Sequence, residues 1–484
     1  MGDNDVIGLD DHLEISLEGI RQVLTREIPP YILSRRQTFQ LGPSDTDFVC
    51  YKVLNCHFTS LLSSKSVGNM TFDTYRAEIE MEESRSIKLD GEESREVVIK
   101  ETLIVKTIKG NSGSRDMYDS KRLFYVESKM FSDIIPLLLS SPFTAAYYNR
   151  ESSSNLCKSH FLFPKCYYSC RKFKDSLIVL EDIQQSGYKL VRNNSQFMDF
   201  NHIVLALEGL ARFHALSYAM KKKDPQSFYS RVVQEVVPGK KYRAEDKARE
   251  KLYAYAYLKT LQFAALQPLE MFAVKYRNTD DKYDSGAERL KTLLQDTVGV
   301  IRELLIPKEP LAVLCHGNFN INNILFRYDT DEKPTEVKFT DFQNAHYASP
   351  AIDLSLFLFL NASPELRAER RVQLFSSYHL TLLKAMSEFM DCAEEELLPE
   401  YSIEAFKEEF SRHAVYGYIL TAGFVASAPS KRIHIHKIFE MFNDGLPLRE
   451  NIDKSIRENL KLEGEEVTYR LVLLIKEMVD EGYL

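Results

Sequence analysis

The chain has 484 residues, 44% of them hydrophobic, with 62 Lys and Arg against 70 Asp and Glu for a net charge of -8. That much apolar material fills a large core and points to two lobes. The acidic balance argues against a general nucleic-acid binder, which needs a basic face.

Residues 1–11 are acidic, unlike a signal peptide. Val6 stands where a myristoylation signal after Gly2 needs Ser or Thr. The longest mostly apolar block, 354–360, is too short to cross a bilayer. The seven cysteines lack the spacing of a zinc site and read as reduced thiols without disulfides. A cytoplasmic protein with no membrane and no nucleic-acid partner is expected.

Residues 12–24 carry apolar side chains on one helical face, stopped at Pro29-Pro30, so 1–46 reads as a helical extension. From 47 the pattern turns to strands at 48–53, 75–81 and 97–108. The run 66–71 lies where a loop could cover a nucleotide, but it has one glycine and is a weak phosphate signal. The charged stretch 82–96 reads as a solvated hairpin tip. Lys106, in line with apolar neighbours, is either an exposed stem or a lysine that holds phosphates. Residues 124–131 follow as a helix bearing Glu127, with Pro136 closing it.

Residues 176–183 form an apolar strand ending in Glu181 and Asp182. Composition shifts there from strand-rich to helix-rich, so a hinge between lobes 47–183 and 184–484 is expected, with main-chain groups available to an adenine edge. Residues 200–220 read as a long helix, and His214 on its apolar face reads as a satisfied core histidine. The segment 240–307 is helical and charged, and further helices are expected at 366–390, 402–425 and 467–479. Their aromatics, Phe406, Phe410, Tyr416, Tyr418 and Phe424, are mostly core, with a subset able to line a pocket for a flat apolar ligand.

The densest polar pattern lies in 311–353. A buried strand at 312–315 runs into His316-Gly317-Asn318, Asn323 follows five residues after Asn318, and strands at 324–328 and 337–340 lead to Asp341-Phe342-Gln343. The hairpin brings Asn323 and Asp341 together, and an amide oxygen with a carboxylate suits Mg²⁺. This order resembles the catalytic loop and metal-binding Asp of protein kinases, with Asn318 where the first Asp belongs. In that setting a Lys106 to Glu127 ion pair is the favoured reading.

Lys106, Glu127, Leu180-Glu181-Asp182, the run 211–215, His316-Gly317, Asn323, Asp341-Phe342-Gln343 and the run 349–353 together resemble the insect ecdysteroid kinase-like family, itself similar to choline and aminoglycoside kinases. The resemblance spans roughly 48–430. It implies an α+β, two-lobed protein-kinase-like fold, a strand-rich N-lobe and a helical C-lobe, and ATP-dependent phosphorylation of a hydroxyl on an ecdysteroid or other small apolar molecule. Lys106 would hold the nucleotide phosphates and Glu127 would orient it. Asn323 and Asp341 would bind Mg²⁺, and Asp353 would brace the catalytic loop.

Two positions depart from the family pattern, Asn318 in place of Asp and Asn320 in place of the usual Trp. An amide cannot take a proton as a carboxylate does, and general-base assistance is worth roughly a hundred- to ten-thousandfold. Phosphoryl transfer also rests on positioning and charge stabilisation. The sequence therefore supports a working, slowed kinase or a pseudokinase that binds nucleotide or ligand.

Overall fold

The computed structural model describes residues 17–32, 49–61, 72–85, 95–108, 120–140, 162–172, 176–191, 197–237, 247–397, 399–426, 448–460 and 465–484. The expected helix start at 12–16, the loop at 66–71, the hairpin tip at 86–94 and Lys240-Lys241 lie outside the described residues. Two compact units emerge, 1–128 with 164–186, and 129–163 with 187–484.

The first unit is built on an antiparallel sheet of β1 (Val49–Ser60), β2 (Phe72–Arg85), β3 (Arg95–Ile108), β4 (Cys166–Cys170) and β5 (Leu177–Glu181), in the order β1-β2-β3-β5-β4. Alternation puts Ala77, Ile79 and Met81 of β2 on the same buried face as Ile99, Leu103 and Val105 of β3. Helix α1 (Leu17–Gln22) and the π turn after it cover that face with Ile20 and Leu24, joined by Ile28 and Ile32. Pro29-Pro30 interrupts this helical run without ending it. A further turn spans 29–32, closed by Ile32 N donating to Ile28 O, because proline is tolerated in a first helical turn.

β2 and β3 reach into the stretch expected to be a hairpin tip, with Glu82 opposite Val98 and Glu83 opposite Val97. An exposed hairpin arm accepts charged side chains while its main chain stays paired, so composition alone places the turn too early. Helix α2 (Ser120–Lys129) carries Phe124, whose ring meets Phe72 edge-on at 5.6 Å.

In the second unit the chain passes through a π turn at Met130–Ile134 into α3 (Ile135–Leu139). Pro136 therefore opens a helical segment and does not close one. The π turn resets the register, so the missing N–H falls at the start of the new segment. Phe131 meets Phe342 at 5.6 Å, which draws this stretch into the second unit's core.

That core surrounds α4 (Phe200–Lys223), α5 (Lys247–Leu266), α6 (Pro268–Tyr276), α7 (Asp281–Gln295) and α8 (Thr297–Leu304). α4 is long and apolar enough to cross a membrane by length and composition, unlike the 354–360 block, and most of it is buried as a core helix. The strands β6 (Lys189–Leu190), β7 (Val313–Cys315), β8 (Ile324–Tyr328), β9 (Pro334–Phe339) and β10 (His346–Ala348) form two small antiparallel sheets, β6-β8-β9 and β10-β7.

Helix α9 (Ala351–Asn361) is buried almost throughout, and α10 (Pro364–Met390), α11 (Ile403–Ala426), α12 (Arg449–Leu460) and α13 (Glu465–Asp480) complete the unit. Gly417 of α11 lets that helix press on α9, because a Cβ there would lie 2.7 Å from Ser355 main chain. The carbonyls at the C-terminal end of α9 are taken by two arginines: Arg367 donates to Ala362 O at 2.5 Å and Arg470 to Leu360 O at 2.5 Å. Glu477 of α13 holds Arg367 in a two-pronged ion pair. Phe406, Phe410, Tyr416 and Tyr418 are all buried, and Phe410 packs on the rings of Phe359, Phe375 and Tyr483. These four fill the core.

Candidate active site

In the first unit Lys106 and Glu127 meet at 2.5 Å, with Lys106 7% exposed and Glu127 fully buried. β3 places the lysine on the sheet face opposite Val105, and α2 brings the carboxylate to it. Burial and pairing exclude the exposed stem that the sequence left open for Lys106. The strand-end acids are engaged otherwise. Asp182 accepts from Arg76 Nε at 2.7 Å and from Gln184 N at 3.1 Å, and Glu181 accepts from Lys165 N at 3.1 Å. Their carboxylates hold the end of β5 in place.

In the second unit the loop after β7 is anchored by Asp353, in the first turn of α9. Its Oδ2 accepts from His316 N at 2.6 Å and its Oδ1 from Gly317 N at 2.8 Å. Burial raises this carboxyl's pKa, but the His214 hydrogen bond and charge and the Gly317 N–H outweigh it and hold the pKa below 3.8. His214 of α4 donates from Nε2 to Asp353 at 3.2 Å while its Nδ1 meets the Tyr378 hydroxyl at 2.7 Å. The sequence marks His214 as a satisfied core residue without revealing what it supports, since Tyr378 and Asp353 lie far along the chain.

His214, Cys315 and Asp353 each offer one ligand atom within 4.8 Å of the others. They are poor as a metal site. Both His214 nitrogens and both Asp353 oxygens are hydrogen-bonded, and burial pushes the Cys315 thiol well up, away from the thiolate a metal needs. Among the described cysteines, Cys56, Cys166, Cys170, Cys315 and Cys392 are free thiols.

Gly317 adopts φ +75°, and a Cβ there would lie 2.0 Å from Asn344 O. Only glycine fits that turn. His316 donates from Nε2 to Thr340 O at 3.0 Å and accepts at Nδ1 from Asn318 N at 3.3 Å, which fixes a neutral imidazole; burial lowers its pKa in the same sense. Its ring lies 4.4 Å from that of Phe342, itself wedged against Phe131, Phe163 and Phe213.

The antiparallel pairing of β8 with β9 sets Ile324 opposite Phe339 and lets Thr340 N donate to Asn323 O at 3.0 Å. Asn318, Asn323 and Asp341 are thereby gathered in one place. Asn323 Nδ2 donates to Asn318 O at 2.8 Å, which leaves Oδ1 as the atom it offers a cation. Asp341 sits at φ +68°, an uncommon conformation for a residue with a side chain, and Gln343 Nε2 donates to its Oδ2 at 3.2 Å. Gln343 Oε1 is buried with no hydrogen-bond partner among the described residues. An amide oxygen, a carboxylate and an unpartnered buried oxygen make a donor set that fits Mg²⁺, a hard ion that takes oxygen ligands. Asn361, at the far end of α9, accepts from Ile321 N at 3.0 Å and so holds the loop from its other side.

A sequence model described as the ecdysteroid kinase-like family matches residues 69–389. Comparison with curated proteins gives no match. Among solved structures, the chain is similar to an ethanolamine kinase from Plasmodium vivax, at 11% identity over 95% of this chain and 92% of that one, with a TM-score of 0.35. It is also similar to a choline/ethanolamine kinase family protein from Mesorhizobium loti, at 12% identity over 85% and 92%, with a TM-score of 0.30. A choline kinase from Streptococcus pneumoniae aligns at 11% identity over 81% of this chain and 100% of that one, with a TM-score of 0.27. Likenesses this loose decide nothing about chemistry.

Proposed function

Because this chain belongs to the ecdysteroid kinase-like family, a family of small-molecule kinase-like proteins, we propose that it binds Mg-ATP and transfers the terminal phosphoryl slowly to a hydroxyl of an ecdysteroid or a similar apolar alcohol in the cytoplasm. The observation that carries the reading is the convergence of Asn323 and Asp341 on the loop braced by Asp353. Asn323 Oδ1 and the Asp341 carboxylate would hold Mg²⁺, which when bound neutralises charge on the phosphates. Lys106, oriented by Glu127, would pair with the phosphates. Asp353 and His214 keep the loop in register for in-line approach of the acceptor.

The acceptor class rests on family membership, since Phe406, Phe410, Tyr416 and Tyr418 of α11 are buried in the core. A second reading, a nucleotide- or ligand-binding protein without transfer, is favoured by one contact: Asn318 donates its amide towards Asp341 where a base would accept a proton. An ATP-consumption assay with a panel of ecdysteroids, run beside a Mg-ATP titration, separates the two. Consumption that depends on an ecdysteroid supports the kinase. Binding without consumption supports the second reading, and absence of Mg-dependent stabilisation by ATP or ADP sinks both, since a ligand of the folded state raises its apparent stability.

A further inference from the structure

Side-chain amides can face either way, but here the main chain decides. Asn320, 1% exposed, caps the short 3-10 turn Ile321–Asn323 by accepting from Asn322 N at its Oδ1, 3.0 Å away. Its Nδ2 is therefore the end that meets Asn318, and it donates to Asn318 O at 3.0 Å, an atom that can only accept. The same Nδ2 lies 2.9 Å from the Asn318 side chain, so the atom it meets there is Oδ1. A flipped Asn318 would set donor against donor at Asn320 and oxygen against carboxylate at Asp341. Two main-chain groups thus fix both amides, and Asn318 Nδ2 faces Asp341 Oδ2 at 3.4 Å.

One Asn318 amide hydrogen goes to Asp341, and the other has no acceptor among the described residues although the side chain is only partly buried. We propose that Asn320 locks Asn318 as a hydrogen-bond donor, and that the position takes an anionic phosphoryl oxygen of the bound nucleotide instead of a proton from the acceptor. Asn318 is then a ligand-binding residue and Asn320 a positioning residue. The two departures from the family pattern become one change: the amide at Asn320 selects the face that Asn318 presents. A phosphoryl oxygen is the fitting partner because it is charged and accepts only, and it would come close to Asp341 if Asp341 and Asn323 hold Mg²⁺ for the nucleotide. This rests on the nucleotide reading above.

The test is calorimetric titration of the full chain with Mg-ATP and with Mg-ADP, for the native protein and for Asn318→Ala, Asn318→Asp and Asn320→Ser. Serine keeps the cap on Asn322 N but is too short to hold Asn318. Losing a hydrogen bond to a charged group weakens binding on the order of tenfold or more. Asn318→Ala and Asn318→Asp should therefore lose about that much affinity for ATP while ADP changes little. Asn320→Ser should narrow the ATP-over-ADP preference by roughly threefold while melting close to the native temperature, a shift that a merely structural role for Asn320 would not produce. If Asn318→Asp binds ATP as tightly as the native chain and gains turnover, Asn318 is a replaced base and the proposal is wrong, with the nucleotide reading intact. If the native chain binds neither nucleotide, that reading falls and this one with it.

Discussion

Asp353→Asn changes almost nothing in shape and removes one oxygen. The native carboxylate accepts from His316 N and His214 on Oδ2 and from Gly317 N on Oδ1, with no exposure to solvent. The amide offers one oxygen, and placed to keep His316 N and His214 it turns its NH2 towards Gly317 N, so at least one main-chain N–H loses its acceptor and the His214 ring loses the carboxylate charge beside it. At roughly 1–3 kcal/mol for each buried donor left without a partner, offset in part by the removal of a buried charge, the expected loss is about 3 kcal/mol. For a unit of this size that corresponds to about 6 °C in melting temperature.

Thermal melts of the native chain and of the Asp353→Asn variant, repeated from pH 7 down to pH 3, check this. The folded pKa of Asp353 lies below 3.8, so its ionisation contributes stability that is complete above 3.8 and is lost as pH falls through the folded value. The gap between the two chains should stay constant at neutral pH and close only in acid below the unfolded pKa. A loss under about 1 kcal/mol, or a gap that widens on acidification, would refute the bracing role.

Lys106→Met should lower stability by about 3 kcal/mol, because Glu127 is left charged and buried without the lysine, and should abolish Mg-ATP stabilisation in a thermal-shift titration. Asp341→Ala should leave the fold melting nearly as before while removing the Mg²⁺ dependence of that stabilisation; unchanged dependence would remove Asp341 from the metal site. Gly317→Ala forces a Cβ to within 2.0 Å of Asn344 O at a positive φ, and should cost several kcal/mol in denaturant unfolding on the order of other severe backbone clashes. At the surface, Lys282, Lys476 and Tyr283 outweigh burial to bring Asp480 down to about 2, so Asp480→Asn should cost roughly 1 kcal/mol at neutral pH, with the difference vanishing as acid titrates the native carboxyl.

Local order is legible in the sequence wherever one chain segment holds all the information. The β8 and β9 hairpin announces itself by a turn between two apolar runs, and with it the meeting of Asn323 and Asp341. Lys106 and Glu127 lie 21 residues apart and are paired by analogy with kinases. What stays hidden depends on partners that periodicity does not reveal. His214 reaches Asp353 and Tyr378 across 139 and 164 residues. Asn320 is visible only as an odd residue, because the direction of its amide is set by two main-chain groups. The misplaced tip at 82–96 and the misread Pro136 share a cause: charge and proline pass for breaks where a paired arm and a π turn accommodate them.

Helix α9 grips the loop with Asp353 near one end and Asn361 at the other, eight residues and about 12 Å along a rigid rod. A loop pinned twice to one rod cannot drift when its side chains are exchanged. Its path is thereby set by α9 and not by the side chain at position 318, so exchanging Asn318 for Asp should leave the backbone where it is. The same mount would serve an amide and a carboxylate alike.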